Sequence, residues 1–216
     1  MGAITRSAAN NITTGGVILP AGINDASVAS VTELAQVSAG DGITLISSQT
    51  ASSSASLSFT TGIDSTYRTY LFKFINIHGS AASDFQMNFS TDGGSNYNVT
   101  KTTTAISAYH SESDAAPSVY YIASHDLAQS TAAKKIMGTI YNDNDNSGSG
   151  YMYLFNPSNT TFVKHFISST QRTDNATSNN FYTAGYGNTT SAINAVQFTM
   201  ASGNIDAGTI YMYGIA

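Results

Sequence analysis

Apolar residues in this chain recur at every second position, in short runs cut by turn-forming residues. That period limits what the chain can fold into. Between residues 85 and 103 the sequence reads FQMNFSTDGGSNYNVTKTT. Phe85, Met87 and Phe89 alternate with Gln86, Asn88 and Ser90, which gives an extended strand one apolar and one polar face. Asp92-Gly93-Gly94 supplies the left-handed backbone angles of a tight turn. Tyr97, Val99 and Lys101 begin a return strand, so the stretch predicts a hairpin running on towards residue 110. In YRTYLFKFINIH, residues 67 to 78, Tyr70, Phe72 and Phe74 share one face, and Leu71, Lys73, Ile75 and Ile77 the other. With apolar residues on both faces, it predicts a central strand covered on both sides for part of its length.

The same period continues from about residue 41 onwards. Strands are expected over 57–61, 118–123, 134–141, 150–156, 161–170, 180–187, 195–200 and 208–215. NDNDNSGSG (142–150) and NPSNT (156–160) read as turns that each join neighbouring strands, and 112–118 and 171–180 as longer loops. No helical stretches alternate with the strands, which removes doubly wound α/β folds. The expected fold class is all-β, an antiparallel jelly-roll-like β-sandwich over residues 41–216.

Residues 1–40 differ from the rest and read as an extended N-terminal arm; the first Phe is Phe59. GVILPAGIN (16–24) is a short apolar patch. Asp25 then caps a short helix with Val28, Val31, Leu34 and Ala35 on one face. That face is too narrow to be stable alone. Val17, Ile18, Leu19, Val28, Val31 and Leu34 are therefore candidates for contact with other copies or with a larger assembly. The plainer alternative is that they cover one open end of the sandwich in their own subunit.

Composition removes several function classes. Charged residues make up only 10% of the chain, against about 25% in average proteins. The 13 Tyr and 10 Phe set it apart from disordered polar chains, which lack aromatics. A net charge of −5 argues against nucleic acid as a partner, which needs a basic face to displace counterions. Of the eight Lys and Arg residues only Lys134 and Lys135 adjoin, and all eight read as solvated surface charge. The absence of cysteine excludes disulfides, thiolate nucleophiles and Cys-ligated zinc. No apolar run approaches the roughly 18 residues of a membrane helix. MGAITRSAANNITTGG also lacks the apolar core of a signal peptide. The expectation is a protein soluble where it is made, with no membrane partner.

Chemistry-bearing motifs are sparse. None of the four histidines stands in a close metal-ligand pair. Ser124-His125-Asp126 lists the members of a catalytic triad, but consecutive residues point in different directions and do not build one. Glu33 and Glu112, the only glutamates, form no recognisable glycosidase pair. Asp143 and Asp145 alternate with Ser147 before Gly148, like the first half of an EF-hand loop. The twelfth position is Leu154 where a bidentate Glu belongs, so that reading fails. Asp143 and Asp145 stay as weak candidates for a simpler calcium loop, beside the plain reading of a polar turn. No enzymatic activity, metal or cofactor is expected.

Several segments carry a family resemblance. FTTGIDSTYRTYLFKFINIH, FQMNFSTDGGSNYNVTKTT, MYLFNPSNTTFVKHFIS, YGNTTSAINAVQF and SGNIDAGTIYMYGIA look like a family of virion structural proteins of tailed bacteriophages, especially phages of marine bacteria and cyanobacteria. GVILPAGINDASVASVTELA is similar too. The resemblance covers roughly residues 55 to 216, and its motifs are structural rather than catalytic. It implies a β-sandwich carried on the phage particle. The first position it suggests is a capsid decoration, or cement, protein, bound outside the shell as a homotrimer with the major capsid protein as partner. The alternative is a head or tail fibre module that binds host surface carbohydrate. A third reading, from another class, is a carbohydrate-active enzyme or lectin domain.

Overall fold

The computed structural model describes residues 12–13, 16–17, 42–115, 117–173 and 176–216. The chain divides into two units, Met1–Asp41 and Gly42–Ala216. In the first, β1 (Ile12–Thr13) pairs antiparallel with β2 (Gly16–Val17). The expected helix after Asp25 and the candidates Ile18, Leu19, Val28, Val31 and Leu34 lie outside the described residues, as does the side chain of Val17.

The second unit is an all-β sandwich of two antiparallel sheets. Its strands are β3 (Ile43–Thr50), β4 (Leu57–Phe59), β5 (Thr69–Gly79), β6 (Ser83–Ser90), β7 (Lys101–Ser111), β8 (Ser118–Tyr121), β9 (Lys134–Ile140), β10 (Gly148–Phe155), β11 (Lys164–Thr173), β12 (Thr177–Gly187), β13 (Ala195–Met200) and β14 (Ile205–Ile215). One sheet has eight strands in the order β3-β14-β5-β10-β11-β12-β7-β8. The other has four, β4-β13-β6-β9. The narrower sheet cannot cover the whole of the wider one. A single 3₁₀ turn, Ala123–His125, is the only helix among the described residues.

The alternation read from the sequence explains the core. Tyr70, Phe72 and Phe74 of β5 face inward and are fully buried, as are Phe85, Met87 and Phe89 of β6. Phe198 of β13 stands at the centre. Its ring lies 5.4 Å from Phe72 and 5.2 Å from Phe74 across the sandwich, and 5.7 Å from Phe85 and 6.2 Å from Phe59 within its own sheet. These are edge-to-face and offset distances, which add a favourable term to the buried area. The phenol of Tyr70 stays satisfied in this apolar setting, accepting from the Asp64 amide at 2.9 Å and donating to the Asp64 carbonyl at 3.0 Å. β5 is a central strand as expected, but its two faces differ. The Phe72 face is buried, whereas Leu71 and Ile75 are half-buried and Lys73 is exposed; Ile77, expected on that second face, is fully buried because the alternation breaks at Asn76, whose φ is 49°.

The stretch from 85 to 103 is not a hairpin. Gly93 and Gly94 do adopt positive φ, 73° and 91°, and the turn forms. β6, however, is already paired with β13 on one edge and β9 on the other. No edge is left for a return strand. The chain instead crosses the end of the sandwich and enters the other sheet as β7, between β12 and β8. Asp92 fixes the crossing: its Oδ1 accepts from Ser90 Oγ at 2.6 Å and from the Asn96 amide at 2.9 Å. These hydrogen bonds hold its carboxyl down at about 2. Residues 142–150 are a second correction. They lead from β9 in the narrow sheet to β10 in the wide one, so they do not join neighbouring strands. The loop expected over 171–180 is mostly strand, because β11 and β12 pair as far as Thr173 and Ser178.

The cations are the third correction. Lys101, Lys134 and Lys164 are each 0% exposed, and Arg172 is also buried. The aliphatic stems of the three lysines pack inside while their ammonium groups reach backbone carbonyls, and the Arg172 guanidinium lies over the Phe181 ring at 5.5 Å. Lys101 Nζ donates to Asn88 Oδ1 at 2.5 Å and to the Val99 carbonyl at 2.7 Å. Lys164 Nζ donates to the carbonyls of Phe162, Thr189 and Thr190, and Lys134 Nζ to that of His125. Lys164 and Lys101 both stand opposite Gly187, so two ammonium groups serve one end of the wide sheet.

Two measurements follow from this core. Phe198→Ala should cost about 3–5 kcal/mol in chemical denaturation, the range for emptying a buried aromatic site. Burial also pushes Lys101 and Lys134 down to about 8 from the ordinary 10.5. Between those values the unfolded chain binds more protons than the folded one, so stability rises with pH. The denaturation midpoint should increase from about pH 7.5 to about pH 9.5, and Lys101→Met with Lys134→Met should flatten that rise.

Candidate functional site

The widest feature of the surface is the outer face of the eight-stranded sheet, where side chains alternate away from the core. Strand register aligns them into rows that cross the sheet. One row runs Leu45, Tyr213, Leu71, Tyr153, Ile167, Ala184, Thr104. The next runs Ser48, Tyr211, Lys73, Tyr151, Ser169, Tyr182, Ile106, Tyr121. Leu45, Ile167, Tyr151, Tyr182, Ile106 and Tyr121 are all exposed. Lys73 is the lone formal charge in these two rows. An antiparallel sheet with one wet face normally carries polar residues there, and contiguous apolar patches of this kind mark interaction surfaces.

The face has relief. On β10, Tyr151, Tyr153 and Phe155 form a ridge, with ring centroids 5.5 Å and 6.1 Å apart in succession. Two strands away, small side chains leave a depression of about 430 Å³, with Ala184 and Thr104 among its lining and His165, Ile167 and Tyr186 around it. His165 also borders a recess of about 590 Å³ lined by Phe155, Asn156, Asn159, Phe162 and Thr190. The ridge is legible in the sequence as YMYLF, but the depression is not, because it depends on which strands become neighbours.

The sequence-derived candidates fall elsewhere. Asp143 and Asp145 are exposed in the loop between β9 and β10. Asp143 contributes its backbone carbonyl, which accepts from the Asn146 amide at 2.9 Å in a tight turn. Asp145 Oδ1 accepts from Asn146 Nδ2 at 3.1 Å. Among the described residues no three His, Asp or Glu side chains cluster as a metal site would require. In Ser124-His125-Asp126, the His125 ring stacks on Phe181 at 5.9 Å. The Asp126 carboxylate accepts from the Tyr121 hydroxyl. Burial pushes the His125 imidazole below its ordinary value. Gly138 makes room for this stack; a Cβ there would lie 2.4 Å from the Phe181 ring.

Sequence reading missed the polar interior beneath β9. The hydroxyls of Ser107, Ser168 and Thr183 face inward, buried, with no hydrogen-bond partner. Ser168 and Thr183 are direct cross-strand neighbours. Among the described residues no histidine shares a hydrogen bond with a hydroxyl group. No protein family model, curated protein or solved structure matches the chain.

One titratable device does emerge. His78 Nδ1 lies 2.6 Å from Asp206 Oδ1, and its Nε2 lies 3.1 Å from the Asp143 carbonyl. Both partners only accept, so both contacts need the doubly protonated ring. Burial lowers the affinity of this imidazole for its proton, but the hydrogen bonds and the Asp206 charge outweigh it and raise the pKa above 6.5. The stabilisation is therefore complete below about 6.5 and is lost as pH rises through the higher folded value. Asp206→Asn should remove that loss from the pH dependence of the melting temperature and lower the melting temperature at pH 6.

Proposed function

We propose that the chain is a non-enzymatic virion structural protein of a tailed bacteriophage, a decoration (cement) protein that binds the outer shell and stabilises it. The observation that carries this reading is the division of the chain. The body, Gly42–Ala216, closes its own core, and a separate N-terminal unit, Met1–Asp41, carries Val17, Ile18, Leu19, Val28, Val31 and Leu34. A body with an appended apolar segment suits a clamp. The segment adds buried surface on capsid subunits, and binding to the assembled shell alone raises the free energy needed to pull subunits apart. The resemblance to virion structural proteins points the same way. The major capsid protein is the partner in this reading, and no cofactor enters.

A second reading is favoured by one observation, the recess between Phe155 and Phe162. Aromatic rings beside the amides of Asn156 and Asn159 are the groups that stack on and hydrogen-bond to sugars. That reading makes the chain a fibre or adhesion module for host carbohydrate.

The test uses the full chain and its source virion. With Val28→Asp, Val31→Asp and Leu34→Asp combined, shell occupancy should fall by roughly tenfold or more, equivalent to about 1.4 kcal/mol of lost contact, while the melting temperature of the body is unchanged. A cryo-EM map should show repeated density on the shell. Density only at tail or fibre tips would favour the adhesion reading, and undiminished binding by the triple variant would remove the arm from the mechanism.

A further inference from the structure

We infer that the outer face of the eight-stranded sheet is the surface through which copies of this chain associate, the Tyr151–Tyr153–Phe155 ridge of one copy seating in the Ala184 depression of another.

Three observations select a second copy as the occupant. The first is size. With about 3.3 Å per residue along the strands and about 4.8 Å between them, eight strands of the length of β10 span roughly 26 by 34 Å. That is about 880 Å², close to the roughly 800 Å² per partner of a standard protein interface. A bound sugar chain covers only a fraction of that area.

The second is charge. Recognition of a different protein usually shows complementary charges, and copies of one surface cannot supply opposite charges at equivalent positions. The two long rows on this face carry Lys73 alone, which is the charge-poor, tyrosine-rich composition of an interface core. The third is shape. Ridge and depression lie between two and three strand spacings apart, about 10–14 Å. A twofold axis over Ile167 of β11 therefore places each ridge over the other copy's depression. It also keeps the two Lys73 side chains apart, because β5 lies two strands from that axis.

The inference does not depend on the virion reading, because it concerns the isolated protein. The experiment is light-scattering mass measurement on the purified full chain at roughly 50 µM, above the weakest dissociation constants of an interface this size. The expected result is a mass of two chains. Ile167→Asp should return it to one chain, since a charge would be buried without a partner. Ala184→Trp should do the same by filling the depression, although it adds apolar surface. Both positions face outward, and Ile167 is 47% exposed, so circular dichroism and melting temperature should be unchanged. A single-chain mass for the wild type overturns the inference, and so does an oligomer that both variants leave intact. Retention of the oligomer by Ala184→Trp alone overturns the ridge-and-depression contact and reduces the face to general stickiness.

Discussion

The sandwich rests on a stack of phenylalanine rings gathered around Phe198. Two sheets of unequal width have to be held together over the part they share, and no ion pair among the described residues joins them. Phe72 and Phe74 descend from the wide sheet, and Phe59, Phe85 and Phe198 rise from the narrow one. Their mutual edge-to-face contacts set the spacing of the layers. The other features of the body follow from where this stack stops. Under β9, at the margin of the narrow sheet, the inner face of the wide sheet turns to Ser107, Ser168 and Thr183 around Phe181. The short turn at Ala123–His125 then takes over as cover.

The buried lysines belong to the same geometry. A sandwich has two open ends at which loops bring in unpaired carbonyls. The Lys101, Lys134 and Lys164 ammonium groups donate to backbone carbonyls and to Asn88 Oδ1 rather than to carboxylates. Each lysine works as a long donor anchored from within, which gives a loop a fixed hydrogen-bond partner. A chain with few charges thus spends several of them inside. This is one reason its surface is so rich in Ser, Thr, Asn and Tyr.

Much of the strand content was legible because alternation reports a local property. Phe85, Met87 and Phe89 are buried because they occupy alternate positions on a strand with one inner face. Pairing is not local, and there the sequence misled. Asp92-Gly93-Gly94 carries a strong hairpin signal, and its turn forms. Whether the chain pairs back depends on β13 and β9, which lie far away in sequence. Residues 142–150 failed for the same reason. Lys101 looked like surface charge because nothing near it in sequence reveals that its tip reaches Asn88. On the outer face the tyrosines were visible as a composition, but the rows they form depend on eight strands falling into register. Asp143 and Asp145 drew attention as carboxylates, whereas the carbonyl of Asp143 is what His78 reaches.

Strand order also dictates when this body can form. β14 lies between β3 and β5, and β13 between β4 and β6. Each sheet therefore stays split into separate pieces until residues from 195 onwards are available to fill the gap. Until then, β5 and β6 expose their phenylalanines with a missing neighbour on one edge. Long-range closures of this kind slow folding and leave pairing-competent edges exposed meanwhile. A nascent chain of this protein cannot settle segment by segment as it is made. It has to wait for its last strands, and in that interval chaperones have the most to protect.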